Sequence, residues 1–256
     1  MISPMTPDHP LPPGLGPLFT TDLFVPTYRP IQAANWRLTL APMVVTKGYW
    51  SPARLVTNMA ALIRQEADGR ITTWMSMTPM EMESQEIGVR HCRGHVLVYG
   101  LGMGWAAVNA ALRAEVTAVT VVEFDPAVIG MIDTLGILDQ LPDAAREKIT
   151  IRQGDAYAHV PDRPVDTLMA DIWQPLYGRG RVGEVRGMQA NCRAAAVYYF
   201  GQEIEIAMYA RDAGLDLDAD GITRVVADMG LPLIGPGQPD YPDKVRAAAG
   251  QWWKGD

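Results

Sequence analysis

Three glycines at alternate positions, Gly100, Gly102 and Gly104, close the short apolar run HVLVYG and open the helical stretch WAAVNAALRAE. Glycines so spaced let a backbone turn sharply and approach a ligand closely. The helix behind them aims its N-terminal amides at whatever lies there. Nineteen residues beyond Gly104, Glu123 ends a second apolar run, AVTVVEF. A carboxylate at that point can accept both hydroxyls of a ribose. Asp125-Pro126 follows as the start of a helix, with Asp as N-cap and Pro at the first helical position. Asp155 ends the run KITIRQGD and Asp171 ends VDTLMADI. The chemistry these residues suit is the holding of a nucleotide-type cofactor.

The elements that must position them are strands alternating with helices from residue 95 onward. Helices are expected over PAVIGMIDTLGILDQL, VGEVRGMQANCR and QEIEIAMYARDAG, and a further strand over AAAVYYFG. That rhythm means an α/β fold with a doubly wound parallel sheet, helices on both faces. Ligands of such sheets bind beyond the carboxyl ends of the strands, the edge where all four features fall. Few strand signals follow residue 201, so the sheet is expected to lack final antiparallel strands, with ITRVVADMG and a last short helix in their place. Before this region, residues 31–85 read as a small N-terminal β module. Asp68-Gly69 marks a hairpin there, and the stretch from Arg54 is open to a strand or a helix. Residues 1–30 carry eight prolines and read as an extended arm, loose or laid across the body. Residues 86–256 make the third region.

A dinucleotide loop needs a small residue where Trp105 stands, and it has no use for Asp155. A carboxylate at the end of the third strand suits an adenine amino group instead. The expected cofactor is therefore S-adenosylmethionine.

VLVYGLGMGW, VVEFDP, RQGDA and MADIWQP resemble the successive motifs of class I methyltransferases, in particular the spermidine synthase branch. The resemblance covers about residues 70–200. It implies a Rossmann-like domain behind an N-terminal β-rich piece. Glu123 falls on the family's ribose-binding Glu, Asp155 on its adenine-contacting Asp, and Asp171 on its catalytic Asp. It also implies a polar contact to the ribose from Glu81, Glu83 or Gln85, and pairing of subunits through the N-terminal region. Two positions depart from the branch: Met103 replaces an Asp in the glycine loop, and Gln174 replaces a second carboxylate after strand four. A diamine needs anionic partners to offset its desolvation. The expected function is accordingly methyl transfer from S-adenosylmethionine to a small-molecule acceptor. Asp171 would orient or deprotonate that acceptor, and Trp173, Tyr177, Gln202 and Glu203 would shape its pocket. Aminopropyl transfer and a non-catalytic binding role are the alternatives.

Other features take simpler readings. Met75, Met77, Met80 and Met82 alternate as on a strand, broken at Pro79. His91 and His95, at the end opposite the ligand, read as surface residues. Asp216, Asp218 and Asp220 copy half of a calcium loop, but Ala227 stands at its twelfth position. No metal site is expected. The formal charge of −7 with only four lysines disfavours nucleic-acid backbones as partners. No apolar run reaches the ~18 residues that span a bilayer, and the first residues lack the character of a signal peptide. A cytoplasmic homodimer, paired through the N-terminal module, is the expected form.

Overall fold

The computed structural model describes residues 16–255. The first half of the proline-rich arm lies outside the described residues. The second half is laid across the body. Leu18 bridges Leu55 in parallel. The Asn109 side chain accepts from Phe24 N and donates to Phe24 O, at 2.9 and 2.8 Å. Gln140 grips Thr27 in the same two-way fashion.

Four antiparallel strands follow in the order β1-β2-β3-β4: β1 (Ile31–Ala33), β2 (Trp36–Thr46), β3 (Arg54–Gln65) and β4 (Ile71–Ser76). The segment from Arg54 is thus a strand. Asp68-Gly69 turns β3 into β4, with Gly69 at φ +84°, as a hairpin turn requires. Residues 79–91 form helix α1 (Pro79–His91). Thr78 caps it by accepting from Glu81 N, and Pro79 occupies the first turn, where its missing N–H costs nothing. Met80 and Met82 are therefore helical, and the strand-like methionine series ends before them. The boundary expected between residues 85 and 86 falls inside this helix.

The second sheet is built from β5 (Gly94–Tyr99), β6 (Val116–Glu123), β7 (Ile149–Gln153), β8 (Thr167–Ala170) and β9 (Ala196–Tyr199). All pairings are parallel, in the order β7-β6-β5-β8-β9. The connections carry α2 (Trp105–Leu112), α3 (Pro126–Thr134), α4 (Asp143–Arg146) and α5 (Arg181–Cys192). After β9 come α6 (Gln202–Asp212), α7 (Ala219–Met229) and α8 (Tyr241–Trp252). Among the described residues no further strand joins this sheet; a single bridge, Val197 to Leu233, stands in the place of one. The sheet is doubly wound, as its side-chain alternation shows. Val96 and Val98 pack with α2, α3 and the N-terminal sheet. Leu97 and Tyr99 pack with α5 to α8 on the other face. The order switches direction at β5, so the crevice beyond β5 and β8 is the place this topology provides for a ligand. Among the described residues no helix is long and apolar enough to cross a membrane.

Two expectations fail at buried polar groups. His95 is not a surface residue: it is buried, and its ring nitrogens meet Pro164 O at 2.7 Å and Thr120 Oγ1 at 2.9 Å. Gln202 and Glu203 do not reach an acceptor pocket. They form the first turn of α6, fully buried under α8 and the segment around Tyr49. Gln202 donates to Ile234 O and to the Tyr241 hydroxyl. Glu203 accepts from the Tyr49 and Tyr198 hydroxyls, each at 3.2 Å, and Tyr241 also faces it. Glu203 therefore joins the N-terminal module to the sheet and to the last helix.

Burial pushes the Glu203 carboxyl up to about 7, despite the hydroxyls that favour its charged form. A carboxyl that is protonated when folded and ionised when unfolded stabilises fully below its unfolded pKa. That contribution fades as pH rises through its folded pKa. Glu203→Gln keeps the packing and removes the titration. The melting temperature of the wild type should fall more between about pH 5 and about pH 8 than that of the variant, by a contribution on the order of 3 kcal/mol. Equal slopes would refute this role.

Candidate functional site

Two adjoining cavities lie beyond the carboxyl ends of β5, β6 and β8, sharing Trp74, Gly100, Gly102 and Asp171. The outer cleft has a volume of about 390 Å³ and the inner pocket about 30 Å³. The outer figure falls within the range of small-molecule sites. The inner one admits roughly two or three water-sized groups.

The glycine loop forms the floor of both. Gly100, Gly102 and Gly104 all have positive φ, at +90°, +50° and +82°. A Cβ on Gly100 would stand 2.2 Å from the Asp171 carbonyl oxygen, and one on Gly102 would stand 2.3 Å from Met75 Sδ. At Gly100 the clash is with backbone, so glycine is required by contact as well as by conformation; at Gly102 the neighbour is a flexible side chain, and the positive φ is what favours glycine. Gly104 is the N-cap of α2 and offers no side chain to the first amides of that helix.

Glu123, at the end of β6, lies in the outer cleft. Its Oε2 accepts from Leu101 N and its Oε1 from Asp125 N, both at 2.8 Å. These bonds fix the carboxylate against the glycine loop and leave each oxygen a further acceptor site. Asp125 caps α3 through Ala127 N at 2.9 Å. Asp155 also lines the outer cleft and turns the chain there by accepting from Tyr157 N at 2.9 Å.

The far wall of the cleft comes from the N-terminal sheet. Trp36 and Trp74 meet edge to face with centroids 5.5 Å apart, and the Arg64 guanidinium lies over both rings. Trp36 donates its indole N–H to Asp125 Oδ2 at 2.7 Å, tying this wall to the nucleotide-type sheet. Residue types alone did not reveal this wall. Only the packing of one sheet against the other places its tryptophans here.

The inner pocket collects Glu81 and Gln85 from α1, Trp105 and Ala106 from α2, Asp171 and Trp173 after β8, and Tyr198 from β9. Glu81 and Gln85 stand one helical turn apart, on the same face of α1. Of the three candidates, these two line the pocket. Glu83 instead accepts from Trp50 N and Ser51 N, away from the pocket. Gln85 donates to Asp171 Oδ2 at 2.8 Å. Burial pushes the Asp171 carboxyl up to about 7, and the Arg181 cation, acting through space, draws it down in part. Burial raises Glu81 well above the carboxylate range, and the nearby Asp171 raises it further. Met103 is fully buried beneath the loop, and Tyr28 donates to its carbonyl at 3.0 Å.

Trp173 lines the inner pocket. The Arg181 guanidinium stacks on its ring at 4.7 Å, and its indole N–H reaches the Tyr157 hydroxyl and Glu184. Arg181 in turn donates to the carbonyls of Leu176, Pro175 and Phe200, which braces the loop after β8. Tyr177 lines neither cavity and packs instead near Tyr49 and Met208. Among the described residues no group of three or more His, Cys, Asp or Glu is gathered as for a metal ion. Asp218, from the partial calcium motif, caps α7 through Gly221 N.

No protein-family model matches the chain, and no curated protein matches it either. Among solved structures it is similar to the glycopeptide N-methyltransferase MtfA complexed with S-adenosyl-L-homocysteine, at 24% identity over 43% of this chain and 42% of that one, with a TM-score of 0.35. It is similar to the methyltransferase domain of bacterial CtHen1 at 17% identity over 46% of this chain and 65% of that one, TM-score 0.37. A complex of DhpI with SAH matches at 19% identity over 40% of this chain and 44% of that one, TM-score 0.30. The chain thus spans less than half of MtfA and DhpI and just under two thirds of the CtHen1 domain.

Proposed function

We propose that the protein is an S-adenosylmethionine-dependent methyltransferase acting on a small acceptor. One observation carries this reading. The glycine loop, Glu123, Asp155 and Asp171, drawn from four different strand ends, line two adjoining cavities. The residues fit the cofactor on features of the chain itself. The glycine loop lines both cavities with backbone bare of side chains at Gly100 and Gly102. The indole N–H of Trp105, on the inner pocket, is buried without a hydrogen-bond partner among the described residues.

In this reading Glu123 holds the ribose hydroxyls and Asp155 faces the adenine amino group. The bound cofactor supplies an electrophilic methyl group. Asp171, whose carboxyl titrates near neutrality, orients the acceptor and takes a proton from its amine or hydroxyl. Gln85 fixes one Asp171 oxygen and Trp173 closes the side of the pocket. Alignment of the acceptor supplies most of the acceleration.

A second reading, aminopropyl transfer from the decarboxylated donor, has one observation in its favour. Glu81 stands beside Asp171 and gives the inner pocket a second carboxyl group, where Met103 and Gln174 carry none. We also propose that the chain pairs as a dimer through the N-terminal sheet. Trp36 and Trp74 do not contribute to that interface, since they line the cleft. Leu40, Met43 and Val45 on β2 and Ile71 on β4 remain exposed and would form it.

Three measurements test these proposals. Glu123→Ala should weaken calorimetric binding of S-adenosylhomocysteine by at least tenfold, since two charge-assisted bonds of about 1.5–3 kcal/mol each are removed. Unchanged affinity would remove the ribose assignment. Incubation with putrescine and the decarboxylated donor should release no methylthioadenosine, and steady release would promote the second reading. Light scattering over a range of concentrations should give twice the chain mass; a stable 28.0 kDa would sink the dimer.

A further inference from the structure

Asp171 begins the segment between β8 and α5, and one buried cation holds that segment in place. Arg181, the first residue of α5, is 4% exposed. Its Nη1 donates to Leu176 O at 2.8 Å and to Phe200 O at 3.2 Å, and its Nη2 to Pro175 O at 2.6 Å. The guanidinium carbon lies 4.7 Å from the Trp173 ring centre. One side chain thus ties the middle of the segment to the end of β9 and steadies the ring that lines the inner pocket. A neutral donor could serve those carbonyls, and burying a full charge is costly unless acids answer it. Glu205 from α6 acts on Arg181 most strongly, then Asp171, then the Tyr199 hydroxyl of β9 and Glu184, one turn along α5. Glu205 also accepts from Gly178 N at 2.8 Å, and Glu184 from the Tyr157 hydroxyl and the Trp173 indole. Asp171 has Gln85 on one oxygen, and its acidic neighbour on α1, Glu81, has like sign. Arg181 supplies the opposite charge from the α5 side.

We propose that Arg181 is a positioning residue for methyl transfer: its guanidinium fixes residues 172–180 so that Asp171 and Trp173 line the inner pocket, and it sets a positive charge near Asp171. This rests on the methyl-donor reading, in which Asp171 meets the acceptor. Position and charge then come from one side chain. Burial alone would hold the Asp171 proton in place, and a base that keeps its proton cannot take one from an acceptor. The Arg181 charge opposes that burial, so Asp171 exchanges its proton near neutrality, where general-base catalysis is most effective. Arginine suits both tasks, since its fork reaches several carbonyls at once and its charge persists when buried.

Titration of Asp171 in the full chain tests this role, followed by carbon-13 NMR of labelled aspartate and assigned with Asp171→Asn. Arg181→Met should raise the Asp171 midpoint by about one pH unit or more. Arg181→Gln keeps a donor for the loop carbonyls and loses the charge; it should raise the midpoint likewise, and it stands in where the Met variant does not fold. Arg181→Lys keeps the charge and should hold the midpoint close to the wild-type value. An unchanged midpoint in the neutral variants would overturn the proposal. So would an equal rise in Arg181→Lys, which would mark a packing role. Amide hydrogen exchange across residues 172–180 should quicken in the neutral variants, and wild-type protection there would refute the bracing. If the wild type binds no S-adenosylhomocysteine in calorimetry, the methyl-donor reading has failed, a result distinct from any outcome of the titration.

Discussion

The site depends on how closely the backbone after β5 approaches the backbone after β8. Pairing of Tyr99 with Ala170 sets the two strand ends side by side, and Gly100 then lies against the Asp171 carbonyl with no room for a Cβ between them. The same contact holds Asp171 over the glycine loop, so one acid borders both cavities. Because Gly100 is also at φ +90°, any other residue meets strain and collision together. Two strands away, Glu123 reaches back to Leu101 N and locks the loop from the other side. The floor is thus preorganised by backbone contacts, which reorganise less than side chains would.

A bare doubly wound sheet leaves this edge open to water. Here the N-terminal module closes it. Trp36 bonds Asp125, Met75 Sδ accepts from Met103 N, and Tyr28 donates to Met103 O. The Met103 side chain serves this closure: it is buried in the same core as Trp36, Leu38 and Trp105. An acid at that position would be buried among apolar groups at high cost. The carboxyl that faces the inner pocket arrives instead on α1, as Glu81, with Gln85 one turn on to steady Asp171. Closure of the cleft and the origin of its acids are two consequences of one packing choice.

Most of the second sheet was legible because each of its strands is a short apolar run ending in Gly or an acid, and each run recurs after a helical stretch. The N-cap at Asp125 and the hairpin at Asp68-Gly69 were legible for the same local reason. What was not legible depended on contacts distant in sequence. Helix α1 carries polar and apolar residues on nearly all sides, and most of it is buried, so no amphipathic stripe marks it. Only Thr78-Pro79 signals its start. Gln202 and Glu203 read as acceptor-pocket residues until Tyr49, Tyr198 and Tyr241 close over them from three separate elements. Trp105 was readable as too large for a dinucleotide loop. Its unpaired N–H is a property of the assembled pocket alone.

The buried acids separate into two kinds, and the difference bears on function. Glu203 lies in a nest of tyrosine hydroxyls, which supply donors to it. That arrangement is complete as it stands, and its consequence is stability. Glu81 and Asp171 instead border a cavity, and Asp171 adds to the cost of charging Glu81. A fold gains nothing in stability by setting two acids against each other across a cavity. Replacing either by an apolar residue of similar size would remove that cost. Such an arrangement is coherent only if a ligand completes it.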